Sequence, residues 1–423
     1  MMNNTNKISR RTRRLTCIAL ASLAVAPMLF AAPAQAAGKT IKIGVLLPLS
    51  GRYASAGQSN KRGIDLVVDT VNKAGGIKAL GGAKLDVVIA DDASDQGTTA
   101  QEARRLVNQE EVKFILGPYA TPEAEAAAPV GERAHVGMIS TQASFDGLFE
   151  RHYKFFTTVS MTSSQFGQSY AEFVDWLNAK HQADIKTVAL TYPDNDYGKT
   201  ASQAAITLLK KSGIEVLGSF GFPPKVGDMT PIVQKVKALN PKAVVSIGYL
   251  QDGILLHRAR VAQNYTSPPI WVGGSDSFSN DRLWQLLGNV AAKALSGKTY
   301  ALAQFDNGVK TPGVEWLVAA ATKAGFKHDQ IDQGMAAGAQ AAWILVQALE
   351  DAKSDDPEKL ASAVHSVHMS PDSPHVTMPQ FANGLDFEPS GKPKNPVALF
   401  AHWENGHKVV VYPTKIATGP FSW

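Results

Sequence analysis

The sequence predicts an α/β protein made of two doubly wound parallel-sheet lobes. Short apolar runs alternate with helix-period segments along most of its 423 residues. The runs are continuous, as expected of strands buried on both faces. The alternation is completed twice, with a break at "YKFFTTVS" (Tyr153–Ser160). A chain that is 44% hydrophobic and 19% charged is ordinary for a globular protein, and its length suits two domains.

The first 36 residues stand apart. Lys7, Arg10, Arg11, Arg13 and Arg14 precede an apolar run from about Leu15 to Ala32, which ends in Ala34-Gln35-Ala36. This is the pattern of a secretory signal, with cleavage expected near Ala36/Ala37. An N-terminal membrane anchor is the competing reading; the Ala-rich run and Pro27 speak against it. The paired arginines leave general secretion and twin-arginine export both open. The segment holds all of the +5 net charge, so the rest is formally neutral and its charge gives no argument for nucleic acid. The single cysteine, Cys17, also lies there, in a context unsuited to lipidation. The mature chain therefore has no disulfide and no thiol ligand, and about 387 residues must form a core without staples.

In the first round, strands are expected at Ile41–Leu47, Leu85–Ala90, Phe114–Leu116 and Val136–Ser140. Between them Ile64, Val67, Val68 and Val71 mark one face of a helix, and Thr98–Asn108 and Pro122–Ala134 also read as helical. The second round alternates helices Gln165–Ala179, Tyr197–Lys211, Asp228–Leu239 and Asp252–Asn264 with strands Thr187–Tyr192, Ile214–Phe220, Ala243–Gly248 and Ile270–Val272. The last third departs from this count. Helices are expected near Gly313–Ala324 and Asp332–Asp351, the latter with Met335, Ala339, Ala342, Val346 and Leu349 inward. Two or three strands close the chain, and "ENG" within Val397–Pro413 signals a hairpin.

Chemistry motifs are sparse. Gly51 and Gly57 in the first turn have five residues between them and Gln58 after, which is not a phosphate loop. The two "GKT" sequences, at Gly198 and Gly297, have Pro193 and Ala292 where the first glycine is needed. No dinucleotide fingerprint, nucleophile elbow or cysteine is present, so neither a catalytic constellation nor a cofactor is expected. His365, His368 and His375 lack partners at ligand spacing and read as a helix end and loop. Asp91 and Asp92 read as turn and N-cap residues.

The loops after the strands carry more information, because ligands of open α/β sheets sit beyond the strand carboxyl ends. They read "PLSGRYASAG", "GPYATPEAE", "STQASFD", "YPDNDYG", "GYLQDG" and "GGSDSFS". Tyr53, Tyr119, Tyr197 and Tyr249 offer rings with a polar tip, suited to walling a small amphiphilic ligand. Several loops open helices, whose free N–H groups can receive a carboxylate.

With "IKIGVLLPLSG", "VVIADDASD", "FILGPYAT", "VALTYPDNDYGK" and "VVVYPTKIATG", nearly all of the mature chain resembles the periplasmic solute-binding proteins of branched-chain amino-acid-type ABC importers. The resemblance implies two lobes joined by three crossovers, near Phe156–Val159, Leu295–Leu302 and Pro396–Phe400. Lobe 1 would then comprise residues 37–157 and 299–397, and lobe 2 residues 158–298 and 398–423. It implies a carboxylate held at Thr121 or Ala120 and at Gln142 and Ser144, rings from Tyr197 and Tyr249, and Asp276 as the partner of an ammonium. Ala56 stands where some members have a tyrosine, and Gln142 where a small residue is usual, which departs from a simple leucine or valine pocket. The implied protein is a periplasmic monomer that is not an enzyme. Its partners are a small solute (an amino acid or an organic or aromatic acid) and a membrane permease with its ATPase. A ligand sensor of the same fold, feeding a chemoreceptor or regulator, is the alternative.

Overall fold

The protein is described from a computed structural model, which covers residues 39–267, 269–274 and 276–423. The predicted signal, residues 1–36, lies outside them. The first round runs β1 (Thr40–Leu47), α1 (Ala54–Lys73), β2 (Lys84–Asp91), α2 (Gln96–Asn108), β3 (Phe114–Leu116), α3 (Thr121–Ala134), β4 (Gly137–Ser140), α4 (Gly147–Glu150) and β5 (Phe156–Thr158). Its strands form one parallel sheet in the order β2-β1-β3-β4-β5. Ile41, Ile43, Val45 and Leu47 face one apolar layer and Leu46 the other, so β1 is buried on both faces.

The second round runs α5 (Ser163–His181), β6 (Thr187–Pro193), α6 (Asp196–Lys211), β7 (Glu215–Phe222), α7 (Thr230–Leu239), β8 (Ala243–Ile247), α8 (Leu250–Ala262) and β9 (Ile270–Gly274). Three short helices follow, α9 (Asp276–Ser279), α10 (Leu283–Leu287) and α11 (Ala291–Leu295), then β10 (Thr299–Ala303). The chain returns to the first sheet with α12 (Pro312–Lys323), α13 (Gln333–Ala352) and α14 (Pro357–His365), and closes with β11 (Leu399–Glu404) and β12 (His407–Tyr412). The second sheet has seven strands, in the order β12-β11-β10-β9-β8-β6-β7. The last two join it antiparallel, through a turn in which Asn405 (φ 48°) and Gly406 (φ 90°) supply the positive φ values of a tight hairpin.

The chain thus passes between the sheets three times: after β5, after β10 and before β11. One expected boundary is corrected. Residues 299–303, assigned to lobe 1 from the sequence, belong to the seven-stranded sheet. Thr299–Ala303 is wholly buried and pairs parallel to β9 and antiparallel to β11. The return to the first lobe begins only beyond Ala303.

Helix α13 is what makes the returning segment part of the first lobe. Its expected inward stripe is buried, as is most of the rest of the helix, because α1, α12 and α14 surround it. Small residues set the approach to α1: a side chain at Gly338 would strike the carbonyl of Asn60, and one at Gly63 the carbonyl of Met335. In the second lobe, Phe173 of α5 stacks on Phe400 of β11 at 3.9 Å.

Candidate functional site

The strand carboxyl ends of the two sheets face each other, and the loops there form one cluster. Tyr119, Ala120, Thr121, Gln142 and Ser144 come from the five-stranded side. Phe166, Tyr197 and Tyr249 come from the seven-stranded side. Together they enclose a cavity of about 10 Å³, room for about one water molecule, so the lobes stand closed on each other.

Aromatic rings make up one wall. Tyr119 lies 5.7 Å from Tyr53, Tyr53 5.1 Å from Tyr249, Tyr249 5.7 Å from Tyr197, and Tyr197 5.8 Å from Phe166. The Tyr53–Tyr249 contact spans the cleft. Burial raises the phenols of Tyr53, Tyr119 and Tyr249 above the ordinary tyrosine value, so all three are neutral donors at physiological pH.

Polar groups line the other wall. The Ser144 N–H donates to Thr121 Oγ1 at 3.1 Å, which locks the β3 and β4 loops together. Ala120 precedes α3 without a side-chain cap, and Pro122 carries no N–H, so the Thr121 N–H is the backbone donor left at the start of this 14-residue helix. Gln142 Oε1 accepts from Gln304 Nε2 at 3.0 Å, so the residue that departs from the usual small one is tied to the second crossover.

Polar contacts also join the lobes. Arg52 forms an ion pair with Asp252 at the start of α8. The Tyr119 hydroxyl donates to Asp276 Oδ2 at 2.8 Å. Arg282 Nη1 donates to Ser55 Oγ at 3.0 Å. Burial raises the carboxyls of both Asp252 and Asp276; Arg52 and the Tyr119 hydroxyl, respectively, act in the opposite direction.

All nine residues singled out from the sequence gather here. Seven line the cavity; Tyr53 and Asp276 stand behind it, Tyr53 against two of the rings and Asp276 under Tyr119. Sequence reasoning missed Phe166 and Asp252. Phe166 sits in the first turn of α5, just past the first crossover, and that position was its only signal.

The other candidates have structural partners. Asp91 Oδ1 accepts from Leu49, Ser50 and Ala93 N–H groups and knots the first turn, while Asp95, not Asp91 or Asp92, caps α2. His365 bonds the Phe156 carbonyl at 3.1 Å, His368 meets Asp386 at 2.8 Å, and His375 stacks on Trp343 at 3.7 Å. Among the described residues no group of three His, Cys, Asp or Glu is placed to hold a metal ion, and no helix is long and apolar enough to cross a membrane. A larger groove, about 990 Å³, lies among His135, Lys154, His365 and Lys394. It sits at the amino ends of β4 and β5, away from the end where open α/β sheets bind ligands, so volume alone does not make it the site.

The sequence pattern of a family described as periplasmic binding protein matches residues 40–406. The chain belongs to the periplasmic binding protein family. This periplasmic binding protein is 27% identical to Leu/Ile/Val-binding protein homolog 7 of Brucella suis over 406 residues, covering 94% of this chain and 97% of that one. Among solved structures it is similar to the branched-chain amino acid substrate-binding protein LivJ of Streptococcus pneumoniae in complex with isoleucine (TM-score 0.73, 23% identity, 89% of this chain and 100% of that one). It is also similar to an ABC-transporter solute-binding protein of Rhodopseudomonas palustris HaA2 in complex with p-hydroxybenzoic acid (TM-score 0.75, 21% identity, 88% and 95%). At these identities the structural likeness speaks for the fold.

Proposed function

We propose that this chain is the exported solute-binding component of an ABC importer. It takes a small carboxylate-bearing solute between its lobes and hands it to a membrane permease driven by an ATPase. One observation carries the reading: a single cavity receives side chains from both lobes and is sealed by contacts between them. A solute that touches both walls stabilises the closed arrangement over the open one, and that difference is what hinge closure requires.

The carboxylate is assigned to Thr121 Oγ1, the Ser144 region and the Thr121 N–H at the start of α3. Tyr53, Phe166, Tyr197 and Tyr249 enclose the remainder. The relatives named for leucine, isoleucine and valine support an amino acid; the neighbour holding p-hydroxybenzoic acid supports an aromatic acid. The protein acts as a binder rather than an enzyme, in the periplasm, after removal of residues 1–36.

Native mass spectrometry of the purified chain should find a co-purified small acid. Thermal denaturation should then shift upward and saturate with that acid, by RT ln(1 + [L]/Kd). Absence of any shift with amino acids, benzoates and other small carboxylates would refute the reading.

A further inference from the structure

Gln142 stands where a small residue is usual, and a buried chain of amides holds it. It lines the cavity, is half-buried, and its Oε1 accepts from Gln304 Nε2 at 3.0 Å. Gln304 directly follows β10, is 0% exposed and lies outside the cavity lining. Its Oε1 accepts from the Met161 N–H at 3.1 Å and from the Ser160 hydroxyl at 3.3 Å. The Gln304 backbone N–H donates to Gln333 Oε1 of α13 at 2.9 Å. One buried residue thus joins the first crossover, the second crossover and a wall of the cavity.

The polarity of this chain follows from a group that cannot be reversed. A backbone N–H only donates, so the end of the Gln304 side chain at Met161 must be its carbonyl oxygen. The other end is then the NH2 group, and the Gln142 atom that meets it must be an oxygen. Gln142 is left with Nε2, which donates and cannot accept, and no described residue accepts from that nitrogen. Turning the Gln142 amide over would set NH2 against NH2 beside a fully buried partner, losing a hydrogen bond and stranding a donor. The other polar side chains of the lining, Tyr119, Thr121, Ser144, Tyr197 and Tyr249, carry hydroxyls, a group able to donate or accept.

We propose that Gln304 is a positioning residue for specificity. It holds Gln142 with its N–H groups toward the solute, so the site takes an oxygen acceptor there and disfavours an N–H donor. The proposal rests on the carboxylate-binding reading above and adds a donor to those of Thr121 and Ser144. Both oxygens of a carboxylate accept, whereas a primary carboxamide offers NH2 at one of the two positions. Gln304 thereby separates an acid from its amide without touching either.

The test measures, by isothermal titration calorimetry at pH 7, the affinity ratio of an acid to its primary amide. The probes are L-leucine with L-leucinamide and 4-hydroxybenzoate with 4-hydroxybenzamide. Gln142→Leu should lower the ratio about 10-fold, because the acid loses a charge-assisted hydrogen bond and the amide at most a neutral one. Gln304→Glu replaces the NH2 end by a second acceptor. That carboxylate keeps the Met161 N–H and draws NH2 from Gln142, whose carbonyl then faces the solute. The ratio in Gln304→Glu should fall about 10-fold below that of the double variant Gln142→Leu/Gln304→Glu, which carries the same charge but no amide to turn. Equal ratios in those two variants overturn the relay. If Gln304→Glu does not fold, Gln304→Met takes its place: it frees Gln142 to turn either way and should lower the ratio, and a ratio unchanged from wild type overturns the proposal. An unchanged ratio in Gln142→Leu likewise overturns it and leaves the importer reading intact. Failure of all four probes to bind the wild-type chain overturns the carboxylate reading and the relay with it.

Discussion

Replacing Arg52 by Ala should loosen the closed form of the lobes without damaging either one. Arg52 and Asp252 lie on opposite sides of the cleft, with side chains 20% and 2% exposed. Exposed ion pairs contribute about 0.2–1 kcal/mol, whereas breaking a buried pair costs about 3–5 kcal/mol because one charge is left stranded. One partner here is sealed and the other is partly wet, and Asp252 keeps the Tyr249 N–H at 3.0 Å. A cost of about 2–3 kcal/mol follows from those bounds. It falls on the closed state alone, since water reaches Asp252 once the lobes part. Solute affinity should therefore drop about 30- to 150-fold. A distance measured between labels on the two lobes should lengthen at a fixed solute concentration. Arg52→Lys should restore only part of the loss, because an ammonium lacks the planar fork. An Arg52→Ala chain that closes and binds as the wild type does would refute the assignment of the pair as a latch.

Two further outcomes follow from the packing and the charges. Asp92→Asn should stabilise the fold at pH 8 by about 1–3 kcal/mol in urea titrations and give little gain at pH 4. Burial raises this carboxyl to about 7 in the folded chain. The folded state thus holds its proton longer than the unfolded one, and the destabilisation grows as pH climbs from about 4 to about 7. A gain at pH 4 equal to that at pH 8 would exclude this cause. Gly338→Ala should cost about 1–3 kcal/mol in thermal or urea unfolding, since its methyl group must push α13 away from the Asn60 carbonyl of α1. A melting curve unchanged by that substitution would mean that the two helices can separate freely.

Much of the fold was readable because parallel strands buried on both faces leave unbroken apolar runs. Phe114–Leu116 has the same limits in the sequence reading and in the structure. Strand β10 was not assigned to its sheet because "TYALA" is equally apolar whichever sheet it joins. Its membership depends on pairing with Trp271, Val272, Gly273 and Gly274. The tyrosines of the site were visible as rings placed after strands. Their arrangement into one wall was not, because Tyr53 and Tyr249 meet only when two lobes close. Asp276 shows the same limit from the other side. A lone acid in a helix-opening loop looks available, and nothing local reveals that Tyr119, 157 residues earlier, donates to it.

The interleaving of the two lobes bears on how the chain is made. Glu350, near the end of α13, receives the N–H of Lys78, a contact spanning 272 residues. The first lobe therefore cannot finish its core until most of the chain has been synthesised, and the second lobe waits longer still for β11 and β12. Folding that depends on such distant contacts is slow. For a polypeptide exported in extended form, that slowness would be protective. The residues that complete either lobe are synthesised last, so in that case no finished domain would stand in the way of passage.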